Sequence, residues 1–233
     1  MKHMRVRRHK GSFIVIEGTD GAGKATQFKL LVQALQKIGH KVGTVDFPQY
    51  GRPSAYFVEQ YLNGVYGTAK QVGPYRGSLF YALDRYVAAP QIREWLTQGR
   101  IVIANRYTWS NAGHQGGKIL NSAKRRAYWK WLFDLEFKLL GIPKPDLTIV
   151  LHMPAKQAQL LVDKKMRRKY IKTKAKRDLH ENDLKHLQAA EATYLQLARL
   201  SRAKLVECVE KGRLLTPIEI HRKVLIIVRK NLP

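Results

Sequence analysis

Acidic residues are scarce in this sequence: 17 Asp and Glu stand against 43 Lys and Arg over 233 residues, a formal charge of +26. A surface this positive draws polyanions such as nucleic acid, anionic lipid or phosphorylated metabolites; a basic proteome or selection for solubility produces the same balance. Cysteine is nearly absent. Cys208 stands alone, which excludes an internal disulfide and a disulfide-stapled scaffold and fits a reducing, cytoplasmic setting. No apolar run approaches the length of a membrane span. A basic stretch, 1–10, precedes the apolar Phe13-Ile14-Val15-Ile16, but Glu17 ends that run after four residues, too short for the core of a secretory signal. Internal repeats and low-complexity linkers are missing too. The remaining composition is ordinary, 45% apolar and 26% charged, which excludes collagen-like and wholly disordered chains. A chain of this length buries roughly 70% of the surface its unfolded form exposes, so it folds without staples as one large domain or two small ones.

Strand and helix signals alternate. Short apolar runs at 13–16, 41–47, 101–104, 147–151 and 204–209 read as strands. Helical spacing fills the intervals: 24–38, 55–62, 76–98 with a kink at Pro90, 124–140, 182–202, and 217–230 with Pro217 at its start. This order predicts βαβ units, hence an α/β fold with a five-stranded parallel sheet flanked by helices on both faces. One domain, 11–233, follows a solvated basic tail, 1–10. Residues 164–177 hold nine basic side chains in fourteen and no acid. Such a run is a solvated helix face, or a segment that holds together better around a polyanion.

The first strand runs into Gly18-Thr19-Asp20-Gly21-Ala22-Gly23-Lys24-Ala25-Thr26. This matches the phosphate-binding pattern G-x-x-x-x-G-K-[S/T] except at its last position, with a strand before it and a helix after it. Glycines let successive backbone N–H groups turn inward around phosphate oxygens. The helix N-terminus adds its positive dipole end, and Lys24 reaches the outer phosphates. The candidate nucleoside-triphosphate residues are therefore Gly18, Gly21, Ala22, Gly23, Lys24, Ala25 and Thr26. Ala25 replaces the hydroxyl residue that ordinarily holds Mg²⁺. Thr26 sits one residue on, facing elsewhere around the helix. Asp20 is an acid inside a phosphate nest, costly unless it binds something else, such as a sugar hydroxyl.

Further segments follow in order: Phe47-Pro48-Gln49-Tyr50-Gly51-Arg52-Pro53, Tyr61-Leu62-Asn63-Gly64, Phe80-Tyr81-Ala82-Leu83-Asp84-Arg85, Asn105-Arg106-Tyr107, Ser110, His114-Gln115-Gly116-Gly117, Pro143-Lys144-Pro145-Asp146 and Arg177-Asp178-Leu179-His180-Glu181. From about Phe13 to Val228 the chain resembles the thymidylate kinase family of P-loop nucleoside monophosphate kinases. Each segment alone is a weak signal, whereas their order and spacing together are specific.

The resemblance implies phosphoryl transfer from ATP to dTMP, with Mg²⁺ accompanying the ATP, in a cytoplasmic homodimer. It implies that Tyr81 stacks on thymine and that Arg85, four residues on and sharing its helix face, reads the base edge. Asp20 accepts the sugar 3′-hydroxyl, Arg106 and Arg52 grip the acceptor phosphate, and Gln115 neighbours the base. The basic run becomes a lid, about 163–182. Its Arg167 and Arg168 supply the charge that some relatives place in the loop, where this chain has Gly21; the lid acid falls at Glu181. Asn105 stands where the family has aspartate, so with Ala25 it leaves the metal ligands unassigned. Trp129, Trp131 and Phe133 offer a dimer surface or ordinary core. Two other readings stay open. One is a P-loop protein that binds nucleotide or nucleic acid with weak kinase activity, any nucleic-acid contact being nonspecific and electrostatic. The other is a related kinase with a different acceptor.

Overall fold

The computed structural model describes residues 11–163 and 184–232. Five parallel strands form the central sheet: β1 (Ser12–Gly18), β2 (Val42–Asp46), β3 (Ile101–Asn105), β4 (Leu147–His152) and β5 (Lys204–Glu207). Their spatial order is β2-β3-β1-β4-β5. β1 lies at the centre, with Ile16 beside Asn105 of β3 and Gly18 beside Leu151 of β4. Side chains alternate along a strand, so β1 feeds two cores. Ile14 and Ile16 join Leu31, Leu35, Val224 and Val228 on one face. Phe13 and Val15 join Ala89, Ile92, Leu96 and Tyr107 on the other. Burial on both faces explains why β1, β3 and β4 read as continuous apolar runs.

Among the described residues, eight α-helices surround the sheet: α1 (Lys24–Lys37), α2 (Tyr56–Leu62), α3 (Ala69–Thr97), α4 (Thr108–His114), α5 (Ser122–Asp134), α6 (Ala155–Asp163), α7 (Leu184–Arg199) and α8 (Pro217–Asn231). A hairpin of β6 (Val209–Glu210) and β7 (Arg213–Leu214) precedes α8. The expected parallel sheet and flanking helices are present, and several details differ. The fifth strand ends at Glu207, and Val209 belongs to the hairpin. α3 starts seven residues before the expected 76, and its break falls at Gly73 (φ 74°, ψ 168°) rather than at Pro90. Pro74 then opens the second segment, where its missing N–H costs nothing. Pro90 faces solvent, so water can satisfy the carbonyl its ring leaves without a donor.

The expected helix 124–140 is α5 followed by a π-helical turn, Leu135–Leu139, which carries the buried Glu136. α4 was not legible as a helix, because Thr-Trp-Ser-Asn-Ala-Gly-His has no apolar periodicity. Trp129 is core, packed with Ala112, Tyr128 and Leu132, and Trp131 and Phe133 pack against the same cluster.

Candidate active site

The segment Gly18–Gly23 carries the chain from the C-terminal end of β1 into α1. Gly18, Gly21 and Gly23 hold φ of 140°, 83° and 81°, values that a residue with a Cβ rarely adopts. Gly21 is constrained twice, since a Cβ there would lie 2.1 Å from the carbonyl oxygen of Ala158 in α6. No side chain fits at that position, so an arginine beside Asp20 within the loop has no room. α1 has no side-chain N-cap, and its first-turn N–H groups and dipole point into the loop. Lys24 is buried, and its Nζ donates to the Thr19 carbonyl at 2.7 Å. That bond folds the amine back over the loop, where a phosphate would meet it. Ala22 is buried, whereas Ala25 and Thr26 are exposed on the first turn of α1.

β3 lies beside β1 and ends in Asn105-Arg106. Arg106 takes φ 68°, a region that non-glycine residues enter seldom and mostly at functional sites. Its amide donates to the Ile16 carbonyl at 2.9 Å, which clamps the turn to the base of the loop. From there Arg106 pairs with the Asp20 carboxylate through Nη2. Its Nη1 approaches Ser110 Oγ at 3.4 Å and His114 Nε2 at 3.3 Å. Arginine only donates, so His114 Nε2 accepts and its Nδ1 proton faces His186 Nε2 at 3.3 Å. Burial, helped by Arg106 and opposed by Asp20, pushes the His114 pKa well below 6.5, so the ring is neutral.

Glu17 anchors this corner. Its carboxylate accepts from Tyr107 N at 2.7 Å, Ser110 N at 3.1 Å, Ser110 Oγ at 2.7 Å and Tyr194 Oη at 3.1 Å. A fully buried acid thus satisfies the N-terminal donors of α4, a cap supplied from another strand. Burial raises its pKa above the usual carboxylate value, against those hydrogen bonds and Arg106. Asn105 donates from Nδ2 to Asp46 at the end of β2, 2.8 Å away. The Oδ1 of Asn105 and the Oγ1 of Thr19 are buried without a hydrogen-bond partner among the described residues.

The α3 residues divide by depth. Asp84 is buried and holds the Phe47–Pro53 segment, accepting from Gln49 N at 2.8 Å, Gln49 Nε2 at 3.1 Å and Ser54 Oγ at 2.6 Å. Gln49 in turn accepts from the exposed Arg52 at 3.2 Å. Arg85 is 1% exposed. Its Nε and Nη2 donate to Glu136 at 2.6 and 2.7 Å, and Thr108 Oγ1 donates to the same carboxylate at 2.9 Å. Arg85 is therefore first a core ion pair, with Nη1 as the part of the fork turned to neither Glu136 oxygen. Tyr81 is half-buried and edge-on to Tyr61 at 6.3 Å. Gln115 is buried, its carboxamide packed over Gly77 one turn before Tyr81. Arg167, Arg168 and Glu181 lie outside the described residues.

The structure thus gathers Lys24, Asp20 and Arg106 at one point, and places Tyr81 and Gln115 along one wall. Sequence reasoning missed Glu17, Asp84, Glu136 and the histidine role at this site. Glu17 carried one signal, an acid ending an apolar strand directly before the loop. Glu136 carried one too, its place among Trp129, Leu132, Phe133 and Leu140 on the apolar face of 124–140, but nothing local joins it to Arg85, 51 positions away.

A β1–loop–α1 cradle on a parallel sheet ordered β2-β3-β1-β4-β5 defines a P-loop phosphate-binding protein. A family model described as thymidylate kinase matches residues 16–212. The thymidylate kinase of Mycobacterium tuberculosis (strain CDC 1551 / Oshkosh) is 33% identical over 186 residues, covering 79% of this chain and 85% of that protein. That of Homo sapiens is 31% identical over 144 residues, 62% of each chain. The structure of thymidylate kinase from Candida albicans superposes with a TM-score of 0.71 over 95% of this chain and 92% of that one at 22% identity, a likeness of fold. The chain belongs to the thymidylate kinase family.

Proposed function

We propose that the chain transfers the γ-phosphoryl group of ATP to dTMP, giving ADP and dTDP. The observation that carries this reading is the meeting of the Lys24-capped loop with the Arg106–Asp20 pair at the C-terminal edge of the sheet, in a chain of this family. ATP phosphates lie among the loop amides. Arg106, with Arg52 as a second cation, holds the acceptor phosphate. Asp20 accepts the 3′-hydroxyl and keeps Arg106 aimed. Tyr81 stacks on the base, a contact worth on the order of 1–3 kcal/mol, and Gln115 and Arg85 Nη1 face the base edge. An oxygen of the dTMP phosphate forms a bond to the γ-phosphorus as the bond to the β,γ-bridging oxygen breaks, and ADP leaves. The acceptor is already an anion, so no general base is required. Lys24, Arg106 and the lid arginines Arg167 and Arg168 stabilise charge on the transferring group.

Mg²⁺ accompanies ATP in this reading. Ala25 offers it nothing; the oxygen atoms that could hold it are Thr19 Oγ1 in the loop and Asn105 Oδ1 at the end of β3, both without a hydrogen-bond partner among the described residues, and the Asp46 carboxylate bonded to Asn105. Such hard oxygen ligands fit a cation that keeps several waters and takes few protein groups. When bound, it neutralises charge on the β- and γ-phosphates.

A homodimer also belongs to the reading. Tyr75, Leu79, Leu83, Tyr86 and Val87 are between 40% and 61% exposed, and their spacing of three and four lines them along one side of α3. A second copy covers that stripe by a self-matching contact. No described helix is long and apolar enough to cross a membrane. The buried, unpaired Cys208 suits a reducing cytoplasm. The test is a coupled ADP-release assay with dTMP, dUMP, CMP, UMP and AMP, with and without Mg²⁺. Turnover is expected with dTMP and Mg²⁺, and no ADP release with dTMP overturns the reading.

A further inference from the structure

The surplus of positive charge is not spent by the reading above, and the topology shows where much of it lies. The strands of a parallel sheet all start at one end, here the end opposite the phosphate loop. Lys41, Arg100, Lys144 and Arg202 stand just ahead of β2, β3, β4 and β5. Lys41, Lys144 and Arg202 are exposed, and Arg100 is partly so. Three helical segments that lead into these strands close at the same end on a basic–aliphatic pair: α1 on Lys37-Ile38, the π turn on Lys138-Leu139 and α7 on Arg199-Leu200. A cation in a last turn complements the helix dipole, but an aliphatic side chain in water does not. Ile38, Leu139 and Leu200 are 52%, 78% and 65% exposed. Acids are few here. Among the described residues they are Glu94, Asp134 and Asp146; Asp134 is held by Lys130 and Lys138 at 2.7 and 2.6 Å, and Asp146 accepts from Phe13 N at 2.8 Å. The chain enters the sheet at this end through Gly11, whose amide donates to the Leu96 carbonyl at 2.9 Å, and five Lys and Arg with no acid precede it in the sequence.

Two features choose among polyanions. The first is breadth. The cations belong to both helix layers, α1 on one face of the sheet and α3, α5 and α7 on the other, at the end of a sheet about 20 Å wide. Such a patch meets a plane of charge better than the narrow ridge of a duplex backbone. The second is the kind of apolar side chain. Isoleucine and leucine have a place at the boundary between headgroups and acyl chains and none on a phosphate backbone. Rings that would stack on bases are exposed elsewhere: Tyr56 and Phe57 on α2, Tyr66 after it, and Tyr75 and Tyr86 on the outer side of α3.

We propose that this end of the molecule docks on an anionic membrane surface, with its Lys and Arg at the phospholipid headgroups and Ile38, Leu139 and Leu200 reaching the acyl boundary. The phosphate loop and Arg106 stand at the other end of the sheet, so docking leaves the candidate site open to water. The inference does not rest on the kinase reading.

The test is co-sedimentation of the full chain with phosphatidylcholine vesicles, with and without phosphatidylserine, at physiological salt, beside fluorescence anisotropy of a labelled DNA duplex. Binding is expected only to the vesicles that contain phosphatidylserine. Each cation near such a surface is worth about fivefold in partitioning, so Lys41→Gln/Lys144→Gln/Arg202→Gln lowers it on the order of 100-fold. Lys29→Gln/Lys70→Gln/Lys156→Gln removes the same charge from exposed positions away from this end and lowers it far less. Ile38→Ser/Leu139→Ser/Leu200→Ser keeps every charge and lowers it about tenfold. The charge and apolar variants are independent, so if one fails to fold the other decides. No binding to phosphatidylserine vesicles, equal binding to phosphatidylcholine alone, or equal loss in the two glutamine triples overturns the inference. A duplex bound more tightly than the vesicles, by a chain indifferent to the serine changes, assigns the surface to nucleic acid and overturns it as well.

Discussion

Glu136→Gln isolates the energetics of the buried core pair. Glu136 and Arg85 are 0% and 1% exposed, and two hydrogen bonds of 2.6 and 2.7 Å join them. The amide keeps the size of the carboxylate but removes the counter-charge, leaving a guanidinium in a dry pocket beside the Tyr107 ring. Breaking one partner of a buried pair costs about 3–5 kcal/mol. Domains hold only about 5–15 kcal/mol in total, so this one change removes a large share. For a chain of this size each kcal/mol shifts Tm by about 2–4 °C, giving a fall of roughly 6–20 °C. The double variant Arg85→Met/Glu136→Leu removes both charges and recovers most of the loss. Its residual deficit, about 1 kcal/mol, is the acceptor that Thr108 Oγ1 loses. Urea unfolding followed by tryptophan fluorescence measures all three proteins, with unchanged m values confirming that stability alone has moved. A Glu136→Gln protein within about 1 kcal/mol of wild type, or a double variant as damaged as the single, refutes the reasoning. The double variant also separates two roles of Arg85: stable folding with a raised KM for dTMP is the outcome expected if Nη1 serves the base.

Three other consequences are open to measurement. Gly21→Ala meets the Ala158 carbonyl as well as an unfavourable φ, whereas Gly23→Ala meets open space; the second costs about 1–2 kcal/mol and the first abolishes binding of a fluorescent ATP analogue. His152 bridges Glu207 and Glu191 through its two nitrogens at 2.5 and 2.9 Å. Burial lowers its pKa but those carboxylates outweigh burial and raise it above 6.5. Its contribution is therefore complete below pH 6.5 and lost as pH climbs through the raised value, so His152→Asn flattens the decline of Tm over that window; an unchanged slope contradicts the assignment. Leu83→Glu puts a charge into the apolar stripe of α3 and converts a dimer to a monomer by light scattering, and a wild-type monomer at micromolar concentration removes the dimer from the account.

Much of the molecule is written locally. The phosphate loop is legible because glycine spacing, a strand before and a helix after are all contained in a short stretch. The sheet is legible because strands buried on both faces must be apolar throughout. Long-range contacts are not legible in this way. Tyr81 and Arg85 share a helix face by spacing, yet spacing cannot show that Glu136 claims most of the Arg85 fork, since its carboxylate arrives on a π turn from another helix. α4 was hidden because its first turn is satisfied by Glu17 from β1 and not by a cap of its own. The break in α3 could have been read, since Gly73-Pro74 is a stronger stop signal than a solvent-facing Pro90. Lys118 looks like any other lysine until the structure shows its amine bonded to Gln115 and Tyr61, with no carboxylate partner among the described residues.

The central claim is direct transfer between two bound nucleotides. Incubation with γ-labelled ATP and dTMP tests it most directly. The account predicts label in dTDP in the same molar amount as ADP formed, and none when Lys24→Ala replaces the wild-type chain. Label released only as inorganic phosphate, or transferred equally well by Lys24→Ala, contradicts it.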